Sequence, residues 1–512
     1  MATALAANSD SRAITPALDQ IRAALGDNSV IADRASLAKY VDSGSLAGPD
    51  APLPGAAVMP TSVEHVRALL AIATQHRIGL WPLVGSGPFA ASADRAGQLV
   101  VVDPQRMNRI LEVNEKYAYA LVEPGVTYAQ LHDRLRDGNP PLWLDCASQP
   151  SSSPASDFVN RSFGYTPYND HVIMQCGLEA VLPDGSLVRT GMGAMPKSSS
   201  WQLFKYGYGP YTDGSFTQSS LGIMTKIGIW LMPAPPACQP FMITIPREED
   251  LHAAIDILKP LKITMLIPNT VVVSHLLDDA ALSAPRSKYD SGSGPISASA
   301  AAKIASDTNR GMWNIYGALY GVPPGIAVGW KVIQDAFSKI PKAGFYTNEN
   351  RKDDPVFAYR SQLMCGVPAA PPSTTRQWNA GGHAEISQVI PLTGAHAARA
   401  FDLAKGIARE HKFDYPCSFQ ATWRSAFLAG TIPFDPNSAD DRKRAQACAK
   451  SIVERMAKSG YGTVAAPAEI AAEAASTYSA HNGAFWNMHR KLKAEFDPRD
   501  VLASPFPLSK QT

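Results

Sequence analysis

Apolar residues recur at helical spacing along "TSVEHVRALLAIATQHRIGLWPLV", where Val66, Leu69, Leu70 and Ala73 share one face behind a capping Thr or Ser and Glu64. At 79–84 the spacing gives way to a continuous apolar run, so a helix is followed by a strand. The next stretch, "GQLVVVDPQRMNRILEVNEKYAYALVEPGVTYAQLHDRL", reads as short strands broken at Asp-Pro and Pro-Gly, then a helix from about Tyr128. Further strands are predicted in "LEAVLPDGSLVRTG", where Pro-Asp-Gly makes a hairpin turn, and in "GIMTKIGIWLMPAP". Beyond the Pro-rich "MPAPPACQP" at 232–240, "ITIPREEDLHAAIDILKPL" and "HAARAFDLAKGIAREH" repeat the mixture of strand and helix patterns. The pattern predicts an α+β protein with a first domain over 1–236, a second over 237–457, and a final segment, 458–512, that returns to the first. No internal repeat is evident.

Length agrees with this division, because 512 residues with 45% hydrophobic content exceed one core. A net charge of +2, from 47 basic and 45 acidic residues without long like-charge runs, leaves no electrostatic footprint for nucleic acid or an anionic membrane. The partner to expect is a small molecule. The six cysteines lie far apart without a C-x-x-C pair, so they read as buried free thiols rather than a zinc site or a disulfide framework. The N-terminal "MATALAANSDSRAITPALDQ" has no basic stretch followed by an apolar run, and no apolar segment approaches the ~20 residues of a membrane span. A cytoplasmic protein is expected.

Seven stretches carry a resemblance: "AVMPTSVEHVRALLAIA", "RMNRILEVNEKYAYALVEPGVTYAQL", "FGYTPYNDH", "LEAVLPDGSLVRTGMGAMP", "WQLFKYGYGPYTDGSFTQSSLGIMTKIGIWLMP", "MWNIYGALYG" and "AGGHAEIS". In this order they resemble the vanillyl-alcohol oxidase / p-cresol methylhydroxylase family of flavoenzymes over nearly the whole chain. The resemblance implies two domains, an FAD-binding-type domain and an α+β substrate cap. It also implies oxidation of para-substituted phenols through a quinone methide, and a homodimer or higher homo-oligomer.

The resemblance breaks at the cofactor. A glycine-rich backbone lets amides approach a pyrophosphate closely, and two such loops are altered here. The first reads "GSGPFAASADRAG"; the second, "SQPSSSPASD", ends on Asp157, expected to face the anion. Ser148 stands where the family's active-site Asp belongs, and Val464 and Ala465 replace a phenolate-binding Tyr-Arg pair. "RSAFL" keeps only Arg424 of a charged run, and "PFPLS" replaces a terminal glycine-rich turn. On these losses no cofactor is expected, with FAD as the alternative and His383 its contact.

Five residues are the catalytic candidates. Tyr165, with Tyr168 beside it, matches aromatic positions lining the family pocket, where a phenol can pair with a substrate oxygen. His383 matches a position of covalent flavin attachment and, without flavin, is a candidate base. Glu385, two residues on along a strand, shares its face and could raise its basicity. Arg424 could fix a phenolate, and Lys205 would be a usable base if buried. The corresponding structural readings are a satisfied loop His, a solvated Glu, core tyrosines, a structural ion pair and a surface Lys.

The reaction expected from a retained scaffold with an eroded redox site is redox-neutral. A para-phenolate expels a benzylic oxygen to give a quinone methide; a base then takes the proton of a neighbouring CH2–OH, releasing formaldehyde and leaving a stilbene. This is a carbon–carbon lyase acting on a lignin-derived, phenylcoumaran-like compound. The alternatives are an FAD-dependent 4-alkylphenol or vanillyl-alcohol-type oxidoreductase and a catalytically inactive aromatic-binding paralogue.

Overall fold

A computed structural model describes residues 3–83, 89–136, 138, 141–147, 149–292, 294–373 and 378–503. Residues 85–88 of the altered first loop, Ser148 and "PFPLS" lie outside the described residues.

The first domain holds two sheets. One has four strands in the order Val30–Ile31, Ala56–Val58, Leu99–Val102, Gly79–Pro82, the last three parallel. The helix Val63–His76 packs on it through Val66, Leu69, Leu70 and Ala73, the face its spacing predicts. Ser62 starts that helix by accepting from the amide of His65, and Arg77, with φ 56°, ends it in the left-handed conformation. The second sheet is antiparallel, in the order Ile110–Asn114, Tyr119–Val122, Ile223–Trp230, Gln175–Val181, Leu187–Arg189. Its fourth strand in that order, Gln175–Val181, is buried throughout.

The second domain is built on an eight-stranded antiparallel sheet that begins at Ala237–Ile245. Its order is Gly344–Thr347, Ala237–Ile245, Trp313–Gly321, Val271–His275, Cys417–Ala421, Ser425–Phe434, Gly382–Pro391, Gly462–Ala465. Strand side chains alternate between faces. One face, carrying Ile243, Ile315, Val273, Phe419, Leu428 and Ile386, packs in a single core with the helices Leu251–Ile263, Pro323–Phe337, Gly394–Glu410 and Ala439–Lys458. The other face presents Met242, Tyr316, Val272 and Ala318 to Phe357, Met364 and, from the first domain, Tyr165. The chain leaves this sheet after Ala465 and returns to the first domain, where the Leu80 amide donates to Val501 O and the Ala503 amide to Leu80 O, both at 2.7 Å.

One expectation from composition is corrected. Cys238 and Cys365 form a disulfide, Cα atoms 6.1 Å apart, joining the strand Ala237–Ile245 to the end of the helix Pro355–Met364. A separation of 127 residues hides such a pair from sequence spacing. Cys146, Cys176, Cys417 and Cys448 are free and buried. Among the described residues no helix is long and apolar enough to cross a membrane.

Candidate functional site

The segment "FGYTPYNDH" sits where the two domains meet, and its backbone is held from both sides. Asp145 Oδ1 accepts from the amides of Tyr165 (3.1 Å) and Thr166 (2.6 Å). From the cap, the fully buried Asn269 donates to Tyr165 O at 3.0 Å, and Tyr320 OH approaches the same carbonyl at 3.5 Å. Gly164 is required here, since a Cβ at this position would fall 1.4 Å from Asp145 Oδ2. The phenol of Tyr165 is thus carried on a rigid loop against the apolar wall of the cap.

Behind that loop lies a buried charged cluster. His171 Nε2 is 2.7 Å from Asp145 Oδ2, and Nδ1 is 3.8 Å from Asp157 Oδ2, to which Tyr128 OH donates at 2.7 Å. Burial alone would push the His171 pKa down; the hydrogen bond and charge of Asp145, with Asp157 and Asp170, overcome it and hold the pKa above its ordinary value. Asp157, expected to confront a pyrophosphate, is 1% exposed and points into this core. The loop that precedes it faces inward through carbonyls, Pro150 O and Ser152 O accepting from the amides of Ala129 and Tyr128. Ser153 caps the short helix Pro154–Asn160.

His383 opens the strand Gly382–Pro391 and is 8% exposed. Its amide donates to Gly44 O at 2.9 Å, Nε2 lies 2.9 Å from Asp42 Oδ2, and Nδ1 lies 3.2 Å from Gly381 O. Gly44 permits that approach, for a Cβ there would fall 2.9 Å from the imidazole. Glu385 is exposed, two residues along the same strand and paired in register with Thr431. Arg424 is exposed in the turn before Ser425–Phe434, its carbonyl accepting from the Leu392 amide at 3.0 Å. Lys205 is 9% exposed and donates to Val172 O (2.8 Å) and Ile173 O (2.9 Å). Burial pushes its pKa down. It closes off carbonyls in the helix His171–Met174 directly after the Tyr165 loop. Tyr165 and Lys205 therefore support one segment, while His383 and Glu385 share a strand.

Sequence reasoning did not single out Asp145, Tyr128, Tyr359, Asp278 and Arg360. Asp145 carried a signal, a lone acid within "PLWLDCA". The others stand in helices and carried none, since their partners lie far away along the chain.

A family model described as an FAD binding domain matches residues 54–191. The chain is 34% identical over 494 residues to the 4-cresol dehydrogenase [hydroxylating] flavoprotein subunit of Pseudomonas putida, covering 95% of this chain and 94% of that protein. It is 29% identical to the 1'-carboxy-chondrochloren decarboxylase of Chondromyces crocatus, over 88% of this chain and 89% of the relative. The 4-ethylphenol oxidase from Gulosibacter chungangensis, solved as an isoeugenol complex, superposes with a TM-score of 0.93 at 30% identity and 98% coverage of both chains. These matches overturn the expectation that no cofactor is bound; they point to FAD. The structure removes one part of the argument behind that expectation, because the acid thought to repel the pyrophosphate is turned away from the loop and engaged by Tyr128.

Proposed function

Because the chain belongs to the vanillyl-alcohol oxidase / p-cresol methylhydroxylase family of flavoproteins, we propose that it is an FAD-dependent oxidoreductase of para-hydroxyaryl compounds, of the 4-alkylphenol or vanillyl-alcohol type. The observation that carries this reading is the Tyr165 loop, its backbone held by Asp145 from one domain and Asn269 from the other, which sets the ring against an apolar wall fit for an aromatic ring. Residues 149–153 and the Asp42–His383 edge would hold the cofactor, with amides and hydroxyls rather than an acid at the loop. FAD, when bound, supplies an acceptor for hydride from the benzylic carbon.

The chain's own part is binding and proton control. Met242, Val272, Tyr316, Ala318, Phe357 and Met364 exclude water from an aromatic ring. The Tyr165 O–H can donate to a substrate oxygen, and burial, the first cause of its raised pKa, keeps it a donor at neutral pH.

A second reading has its own support. Ser148, Val464 and Ala465 replace an acid and a Tyr-Arg pair of the family, and one relative is named as a decarboxylase, a reaction class that breaks a carbon–carbon bond. In that reading a phenylcoumaran-like dimer loses formaldehyde by acid–base chemistry. The test is anaerobic incubation with a 4-alkylphenol and with such a dimer, each with and without an electron acceptor. Acceptor-dependent oxidation supports the first reading; formaldehyde and a stilbene without an acceptor replace it with the second. Binding without turnover of either compound contradicts both.

A further inference from the structure

Lys262 stands in the last turn of the helix Leu251–Ile263, fully buried and without an ion pair among the described residues. Burial, with no charge opposing it, pushes its pKa down to about 7. A methionine would fill similar space without the cost of burying an amine. What the amine supplies is donors: Nζ donates to Ile267 O at 2.9 Å and to Asn269 O. Ammonium and neutral amine alike carry enough N–H groups for both carbonyls.

The segment held in this way is a tight turn. Met265 has φ 60°, the left-handed conformation that a methionine keeps only where its surroundings hold it. Its amide donates to Lys262 O and the Ile267 amide to Leu261 O, both at 3.1 Å. The turn leads to Asn269, whose buried side chain is engaged at both ends. Nδ2 donates to Tyr165 O at 3.0 Å and to Thr270 O at 2.9 Å, while Oδ1 accepts from the Ala318 amide at 3.2 Å. Reversing the amide would set an oxygen against two carbonyls, so the network fixes its orientation. One side chain thereby registers the Tyr165 loop of the first domain against the strand Trp313–Gly321, whose Ala318 belongs to the apolar wall beside Tyr165.

We propose that Lys262 is a positioning residue for the Tyr165 loop, acting across the domain boundary through Asn269 and touching no substrate itself. Its two donors fix the Asn269 backbone, and the backbone aims the side-chain amide at Tyr165 O. Without them the turn is free to shift, and a hydrogen bond weakens steeply once its angle opens. The consequence for catalysis rests on the reading above that an aromatic substrate docks at this wall, where a displacement of about 1 Å can cost ~10²-fold in rate.

The test is hydrogen exchange of the folded holoprotein, read by mass spectrometry in a peptide covering 163–171. There the Gly164 amide donates to Asn169 O, and the amides of Tyr165 and Thr166 donate to Asp145. K262M should speed exchange in this peptide about tenfold or more, as loss of a buried hydrogen bond does, besides loosening 264–270. N269A should have the same effect on 163–171, and adding K262M to it should change exchange there by less than about twofold, because the path is already cut. With 4-ethylphenol and an electron acceptor, kcat/KM of K262M should fall about tenfold or more. A folded K262M in which only 264–270 exchanges faster overturns the proposal, since Lys262 is then local support alone. Additive effects in the double variant also overturn it. If K262M does not fold, K262Q, one bond too short to reach both carbonyls, is read in the same way. If exchange follows the expected pattern but no para-hydroxyaryl compound is turned over, the positioning role stands and the functional reading falls.

Discussion

Tyr128 and Asp157 meet inside the first domain, hydroxyl to carboxyl at 2.7 Å, with His171 on the other side of the acid. The relationship decides how the loop before Asp157 is read. An acid at the end of a phosphate loop argues against a dinucleotide; an acid turned into the core does not. Burial first, then Asp157, pushes the Tyr128 pKa up, so the hydroxyl stays a donor. Y128F should cost about 1–3 kcal/mol of stability, because it removes a hydrogen-bond donor from a buried carboxyl. Chemical denaturation checks this, and FAD affinity should stay within about twofold.

His171 should make stability depend on pH. Its folded-state pKa is raised above the unfolded value, so its contribution is fully present below the unfolded value of about 6.5 and is lost as pH rises through the native pKa. D145N removes the partner that overcomes burial, and the decline should flatten. Urea denaturation at several pH values, with the His171 ring titrated by NMR, measures both.

The disulfide should be present in protein purified without reductant. Denaturation and thiol labelling should then count four free thiols of six, and reduction should expose all six. Replacing Cys238 and Cys365 together by Ala should cost about 2–4 kcal/mol, the usual range for a closure over so long a loop. Disulfides are rare in reducing compartments, so intact pairing in cells would weigh against the cytoplasmic expectation.

The α+β class and the helix at Val63–His76 were legible because periodicity is a local signal. The direction of Asp157 was not, because its burial depends on Tyr128, 29 residues away, in a helix whose own pattern says nothing of that contact. The Asp278–Arg360 pair was illegible for the same reason, since 82 residues separate its members. Lys205 shows the opposite case, a residue type suited to a base that folding commits to two backbone carbonyls.

The most direct test of the account is anaerobic mixing of the purified protein with a 4-alkylphenol while flavin absorbance between 350 and 500 nm is followed. The account predicts a flavin spectrum at about one equivalent per chain that bleaches when the phenol is added and returns with an electron acceptor. A protein without flavin absorbance, or one whose flavin stays oxidised in the presence of every para-hydroxyaryl compound it binds, would contradict it.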